Sequence, residues 1–290
     1  MSVNINVENF ENDLPKVSVY ISTFNRLERL KRAISSVKAQ DYANIELLVC
    51  DDASTDGTQD FMNDLVKNDT SVIYLRNESN KGACATRNLG IFRATGKFIT
   101  GLDDDDEFSP DRISYLVNRW KNKYSFICCD FIEQFSDGKQ KAFYNKNEDT
   151  YFADYKAMLF DNVASNQIFT LTSRLRDIGG FNPEVRRLQD WDTWLRLSFR
   201  YGGFLRTKEK KYVMHHDHGI NDERVSKSYP LSHALTDLLS RNNHMYQGND
   251  NRYMHFLIDM SNKKASLPRA AYWSLIKLNP KFIVKKLINR

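Results

Sequence analysis

Five consecutive acids, Asp103-Asp104-Asp105-Asp106-Glu107, follow the apolar stretch Phe98-Ile99-Thr100-Gly101-Leu102 and precede Pro110. Carboxylates this close repel one another. The usual relief is a divalent cation held by their oxygens together with the phosphates of a substrate. A solvated acidic loop is the alternative. Further polar groups of chemical interest recur along the chain: Thr23, Asn25 and Arg26; Asp51, Asp52 and Ser54; Lys81, Arg87 and Asn88; and Gln189, Asp190 and Trp191. Asp190 sits at the start of a helical pattern, where capping is the ordinary role of an aspartate. His215-His216-Asp217-His218 holds half of the six histidines. Such a composition suits contact with metal or phosphate, or a histidine-rich surface loop.

The elements that must position these groups alternate. Val17 to Ile21, Ile45 to Cys50, Val72 to Leu75 and the run ending at Leu102 read as buried strands. Leu27, Leu30, Ile34 and Val37 mark one amphipathic helix, and Phe61, Met62, Leu65 and Val66 another. A third helix carries Arg87 and Asn88, and a fourth, behind Pro110, carries Ile113, Leu116, Val117 and Trp120. Glu107 is expected to belong to the start of that fourth helix. Strand–helix alternation predicts an α/β fold with a mostly parallel, doubly wound sheet. Ligands bind such sheets outside the carboxyl ends of the strands. Thr23 and Asn25, Asp51 and Asp52, Lys81, then Asp103 and Asp105 all follow strand ends, which predicts one site assembled by four loops.

Farther on, Ser125 to Phe131 and Ile168 to Thr172 read as strands, and Gly179-Gly180 as a sharp turn. The stretch Lys139 to Asn166 is polar and irregular, either a substrate-facing insertion or a surface connection. Pro230 to Tyr246 is helical, and two short helices open at Pro268 and Pro280. We divide the chain into an extension (1–15), a main domain (16–228, with a nucleotide-binding half 16–110 and an acceptor half 111–228) and a helical, basic amphipathic C-terminal region (229–290).

With 290 residues, 41% hydrophobic and 27% charged, the composition is that of a soluble globular protein. No segment approaches the roughly 18 uncharged apolar residues of a membrane span. Met1 to Leu14 is polar and acidic, unlike a signal peptide, and the four cysteines show no C-x-x-C spacing. Buried free thiols in a cytoplasmic protein are expected. The net charge of +5 is uneven: no acid follows Asp259, and the eight Lys and Arg beyond it leave the rest of the chain at −3. A basic, amphipathic end suits an anionic bilayer surface, or packs on the protein's own core with its lysines solvated. Neither G-x-G-x-x-G after the first strand nor G-x-x-x-x-G-K-[ST] is present, so a metal must take over much of the phosphate neutralisation. Nothing points to nucleic acid as a partner.

Six motifs in order, VSVYISTFNR, ELLVCDDASTDGT, NKGACATRN, GLDDDDEFSPDRI, GGF and QDWDTWLRL, give a chain that resembles the family 2 glycosyltransferases from about Lys16 to Ser228. The resemblance implies the GT-A nucleotide-sugar-binding fold and inverting transfer from a nucleotide-sugar, with a UDP-sugar favoured. It places Thr23 to Arg26 beside base and ribose, and Asp51 as acceptor from the base, walled by Asp52 and Ser54. Lys81, Arg87 and Asn88 then line the nucleotide and sugar. Asp103 and Asp105 align with the family's D-x-D, with Asp105 as direct Mn²⁺ or Mg²⁺ ligand and Asp103 nearer the ribose or a metal-bound water. Asp104 and Asp106 take supporting nucleotide and donor-sugar places. Asp190 matches the family's general base, with Gln189 where Glu is common and Trp191 beside it on the donor-sugar and acceptor side. His216 and His218 fall where members place a histidine near the metal-bound diphosphate. The implied acceptor is a glycan or lipid-linked oligosaccharide of bacterial surface polysaccharide synthesis, O-antigen or capsule, used by a cytoplasmic protein peripheral on the inner membrane face. Two rival readings stand beside it. A non-catalytic nucleotide-sugar binder or scaffold would have no use for the full set of carboxylates, and a nucleotidyltransferase would carry a glycine- and arginine-rich first loop.

Overall fold

The computed structural model describes residues 14–142, 150–165, 167–217 and 229–288. The first half alternates as the periodicity predicts. In order come β1 (Val17–Thr23), α1 (Leu27–Lys38), β2 (Ile45–Asp51), α2 (Thr58–Asn68), β3 (Val72–Arg76), α3 (Ala83–Arg93) and β4 (Phe98–Asp103). These four strands pair in parallel in the order β3-β2-β1-β4. Both faces are covered. Val17, Val19, Ile21, Leu47 and Val49 pack under α1 and α2, while Tyr20, Leu48 and Cys50 pack under α3. A strand buried on both sides reads as a continuous apolar run, which is why VSVYI and ELLVC carry so little polarity.

Beyond β4 the sheet becomes mixed. A two-residue strand β5 (Glu107–Phe108) precedes α4 (Arg112–Arg119), β6 (Ile127–Phe135), β7 (Gln140–Ala142), β8 (Tyr151–Ala153) and β9 (Phe169–Leu171). Then follow α5 (Thr172–Asp177), α6 (Gln189–Tyr201) and β10 (Phe204–His216). Strand β9 runs antiparallel between β4 and β6, and the long β10 lies parallel to β6 and antiparallel to β5. Glu107 therefore belongs to a strand pairing with Val213, not to the start of α4. Two glycines are dictated by close approach. A Cβ on Gly96 would stand 2.7 Å from Ser18 N, and one on Gly101 would stand 2.1 Å from Gln167 Oε1. The second contact lets Gln167 lie against the strand that ends at Asp103.

Four helices close the chain: α7 (Leu231–Arg241), α8 (Asn249–Ser261), α9 (Leu267–Ile276) and α10 (Lys281–Ile288). Leu235, Leu238 and Leu239 of α7 join the main core with Trp194 and Phe204. Tyr253, Phe256 and Trp273, with Phe282 against them, build a separate cluster. Helix α8 was not among the sequence expectations. Ser266 caps α9, accepting from Arg269 N, with Pro268 in the first turn. All four cysteines are free and buried. No helix among the described residues is long and apolar enough to cross a membrane.

Candidate active site

Strand register brings the loops together. Thr23 is level with Asp51, and Ser22 with Asp103, so three strands end on one line. There a cleft of about 740 Å³ opens, lined by Thr23, Asn25, Arg26, Asp52, Arg87, Asp103, Asp104, Asp105 and Gln189 among others. Asn25, in the left-handed region at φ 53°, donates its N–H to Ser54 Oγ and accepts at Oδ1 from Thr55 N. It pins the first loop to the second. Arg26 closes the floor: its Nη1 lies 3.0 Å from Asp104 Oδ1 and 3.1 Å from Asp105 Oδ2. Burial pushes the Asp104 carboxyl up to about 6; Arg26 opposes the shift and the neighbouring Asp105 charge adds to it.

At the far wall, Arg87 is held among acids. Its Nη2 lies 3.2 Å from Asp103 Oδ1, its Nη1 donates to Gln189 Oε1 at 3.0 Å, and the same nitrogen stands 3.6 Å from Asp190 Oδ1. Gln167 also donates to Asp103 Oδ1, at 2.9 Å. Asp190 lies in the first turn of α6 but caps nothing: the residue before the helix is Leu188, at φ 66°. Its Oδ1 is buried with no hydrogen-bond donor among the described residues. Burial pushes this carboxyl up to about 7; Arg87 opposes the shift and Asp103 adds to it. A second cleft, of about 370 Å³, opens on the other side, lined by Asn162, Arg187, Leu188, Asp190 and Trp191. The two clefts share Arg87 and Gln189.

The profile of glycosyl transferase family 2 matches residues 18–222. This chain belongs to glycosyl transferase family 2. It is 35% identical over 211 residues, 71% of this chain and 74% of the relative, to WcaA of Escherichia coli (strain K12), named as a glycosyl transferase of colanic acid biosynthesis. It is 30% identical over 174 residues to a Campylobacter jejuni protein named GalNAc(5)-diNAcBac-PP-undecaprenol beta-1,3-glucosyltransferase, covering 54% of this chain and 56% of the relative. Among solved structures, S. aureus TarS 1-349 in complex with UDP-GlcNAc superposes with a TM-score of 0.66 at 16% identity, over 86% of this chain and 72% of that one. The mannosyltransferase PcManGT of Pyrobaculum calidifontis, in complex with GDP-Man and Mn²⁺, does so at 0.59 and 14% identity, over 94% and 86%. The fold is therefore the GT-A fold of glycosyltransferases, with helices added at the C-terminus.

In this family 2 glycosyltransferase, several residues expected at the ligand are occupied elsewhere. Asp51 is fully buried and does not line the cleft: Oδ1 accepts from Ser54 N, and Oδ2 from Tyr74 and Arg76. It shapes the second loop from behind. Asp52 does line the cleft, its carboxylate taking the N–H groups of Lys81 and Gly82 and the Asn77 amide, each at 2.8 Å. Ser54 is buried beneath Asn25, and the Lys81 side chain is exposed beyond the lining of the cleft. Asn88 uses both ends of its amide on Phe181, N–H and C=O, and so clamps the glycine turn. Asp106 points inward: Oδ2 accepts from Tyr212 OH at 2.7 Å and Oδ1 from His215 N at 2.9 Å. Asp106 is buried and does not line the first cleft. The His216 ring stacks on Phe135 and its Nε2 lies 3.0 Å from Glu133 Oε1, so it contacts no member of the acidic run. His218 lies outside the described residues.

Sequence reasoning did not single out Gln167, Asn162, Arg187 or Arg32, whose Nη2 donates to the Asp105 carbonyl. Gln167 was legible only through Gly101, whose missing side chain makes its room. Among the described residues, no three carboxylates, imidazoles or thiols converge on one point that a metal ion would fill. The donor set nevertheless suits a hard divalent cation. Asp104, buried, and Asp105, partly buried, share one guanidinium as counter-charge, which is an oxygen-rich site already built around positive charge.

Proposed function

We propose that this protein is an inverting glycosyltransferase that moves a sugar from a nucleotide-sugar, with UDP-sugar favoured, to a hydroxyl of a lipid-linked glycan acceptor. The observation that carries the reading is the meeting of two clefts at Arg87 and Gln189, one lined by carboxylates and the other holding an Asp190 oxygen that accepts no hydrogen bond. Residues 16–110 form the donor half, residues 111–228 the acceptor half, and residues 229–290 a membrane-facing appendage. Relatives named UDP-Glc:alpha-D-GlcNAc-diphosphoundecaprenol beta-1,3-glucosyltransferase support both the donor and the lipid-linked acceptor.

The nucleotide lies along the first cleft, its base against Phe24 and the Thr23–Arg26 loop, its ribose toward Asp103. Phe24 is 43% exposed at the mouth of that cleft, where an aromatic face is available for stacking. Asp105, with Asp103 and Asp104 beside it, would hold Mn²⁺ or Mg²⁺, which when bound supplies positive charge to the departing diphosphate. Arg26 and Arg87 add fixed positive charge on either side. Asp190 takes the proton of the acceptor hydroxyl as its oxygen bonds to the anomeric carbon, and the bond from that carbon to the β-phosphate oxygen breaks with its electron pair leaving on the diphosphate. A carboxyl near 7 is matched to a base working at neutral pH. One displacement inverts the anomeric centre, so an α-linked donor gives a β-linkage.

The C-terminal helices present Leu275, Ile276, Leu278, Val284, Leu287 and Ile288, each more than half exposed, beside Lys277, Lys281, Lys285 and Lys286. This combination supports the reading of a peripheral protein on an anionic bilayer on the cytoplasmic side, where a lipid-linked acceptor would be reached. Incubation with a panel of UDP-sugars, with and without Mn²⁺, tests the reading. Metal-stimulated hydrolysis or transfer with one of them is expected, and failure of every nucleotide-sugar to bind would refute it.

A further inference from the structure

We propose that Arg187 is an anion-binding residue of the acceptor cleft, which takes a phosphate or carboxylate carried by the acceptor next to the hydroxyl held by Asp190. The inference rests on the reading of that cleft as the acceptor side.

Arg87, the other arginine that lines the cleft, has acidic partners, and so do Arg196 and Arg241 nearby. Arg87 lies between Asp103 and Asp190, Arg196 pairs with Asp192 at 2.9 Å, and Arg241 pairs with Asp192 at 3.2 Å. Arg187 differs. Its one hydrogen bond runs from Nη1 to the Tyr229 carbonyl at 2.8 Å, and among the described residues no carboxylate faces it. A guanidinium offers five donors in a planar fork, which matches phosphate and carboxylate oxygens two at a time. Here one donor is spent on anchoring the fork, and the others remain for a ligand. The next residue along the chain, Arg186, lies over the Tyr229 ring at 5.6 Å.

The cleft that Arg187 lines also carries two buried acceptors without donors, Asp190 Oδ1 and Asn162 Oδ1. The orientation of Asn162 is set by its other end, since Nδ2 donates to the Ser165 carbonyl at 2.9 Å. Leaving a buried oxygen without a donor is unfavourable, so both atoms are suited to groups that a ligand brings. A sugar hydroxyl on Asp190, a second hydroxyl or amide N–H on Asn162 and an anion on Arg187 together satisfy both orphaned oxygens and the guanidinium of Arg187. A sugar attached through a diphosphate to a lipid carries its anion beside the ring. An acidic sugar next to the acceptor residue does so as well.

Three synthetic acceptors separate these sources: N-acetylglucosamine on a diphosphate-linked short polyprenol, the same sugar on an uncharged octyl group, and octyl N-acetylglucosamine bearing a glucuronic acid. Binding is measured with UDP and Mn²⁺ present, for the whole chain and for Arg187→Ala and Arg187→Lys. One of the two anionic compounds is expected to bind at least about tenfold more tightly than the uncharged one. Arg187→Ala should erase that preference and Arg187→Lys keep part of it, while UDP affinity stays unchanged in both. The diphosphate compound winning assigns a lipid diphosphate, and the glucuronide winning assigns an acidic sugar. Equal binding of all three, binding of none, or a preference that survives Arg187→Ala overturns the proposal. Loss of UDP binding by the unmodified chain instead counts against the transferase reading itself.

Discussion

Arg87 Nη1 stands 3.6 Å from Asp190 Oδ1, too far for a hydrogen bond and near enough to favour the carboxylate. The same guanidinium touches Asp103, so the two clefts share one cation. Burial raises the Asp190 carboxyl, and Arg87 limits the rise to about 7. A base works only when deprotonated, so kcat/KM for the acceptor should climb as pH passes through about 7 and level off above it. Arg87→Gln removes the favourable charge and should move that midpoint upward. A profile flat between pH 6 and 8 would exclude Asp190 as the titrating base.

Asp190→Asn keeps the shape of the side chain and removes the proton acceptor. Transfer should fall by about 10²- to 10⁴-fold, the usual range for general-base loss. UDP affinity, measured by titration calorimetry, should stay within about twofold, because Asp190 lies in the second cleft and not in the lining of the first. Near-normal turnover of this variant would remove Asp190 from the mechanism.

The parallel half of the sheet was legible because strands buried on both faces leave unbroken apolar runs, and because polar residues follow each of them. Asp103, Asp104 and Asp105 line the first cleft and Asp190 the second. The mixed half was harder. β10 pairs in parallel with β6 with register shifts between Thr207 and Lys210, and between Lys210 and Tyr212, so no local pattern assigns Glu133 to His216. Asn88 and Asp106 carry the residue types of ligand contacts, and only the tertiary structure reveals that Phe181, Tyr212 and His215 claim them first. Helix α8 opens with Asn249-Asp250-Asn251-Arg252, a polar start that hides its apolar face.

Those claimed residues should act on stability. Asp106→Ala leaves Tyr212 OH and His215 N without an acceptor in the interior, which costs about 1–3 kcal/mol for each group left unsatisfied. The melting temperature should drop by several degrees while UDP affinity at low temperature is retained. A variant that melts normally and binds UDP but no longer binds the UDP-sugar would return Asp106 to the donor-sugar site.

Arg26 acts as the counter-charge of Asp104 and Asp105 in the absence of metal. Without it the two carboxylates repel, so Arg26→Gln should lower the melting temperature of the metal-free protein and enlarge the stabilisation that Mn²⁺ gives. Asp105→Ala should have the opposite signature, with UDP binding that no longer strengthens on adding Mn²⁺. Thermal melts across a Mn²⁺ series distinguish the two. Identical Mn²⁺ responses in both variants and the unmodified chain would place the cation elsewhere.

The last helix carries Lys281, Lys285 and Lys286 beside Val284, Leu287 and Ile288. Each lysine near an anionic bilayer contributes about 1 kcal/mol, and the apolar side chains add burial in the acyl boundary. Sedimentation with vesicles rich in phosphatidylglycerol should therefore exceed that with neutral phosphatidylcholine, and should weaken as salt is raised. Replacing the three lysines by alanine should reduce the vesicle affinity by about 100-fold. Leu278→Asp should weaken binding without altering UDP affinity, since Leu278, 87% exposed, belongs to neither cleft. Equal binding to neutral and anionic vesicles would assign the apolar strip to a protein partner instead, because a bilayer recognised through lysines must respond to its charge.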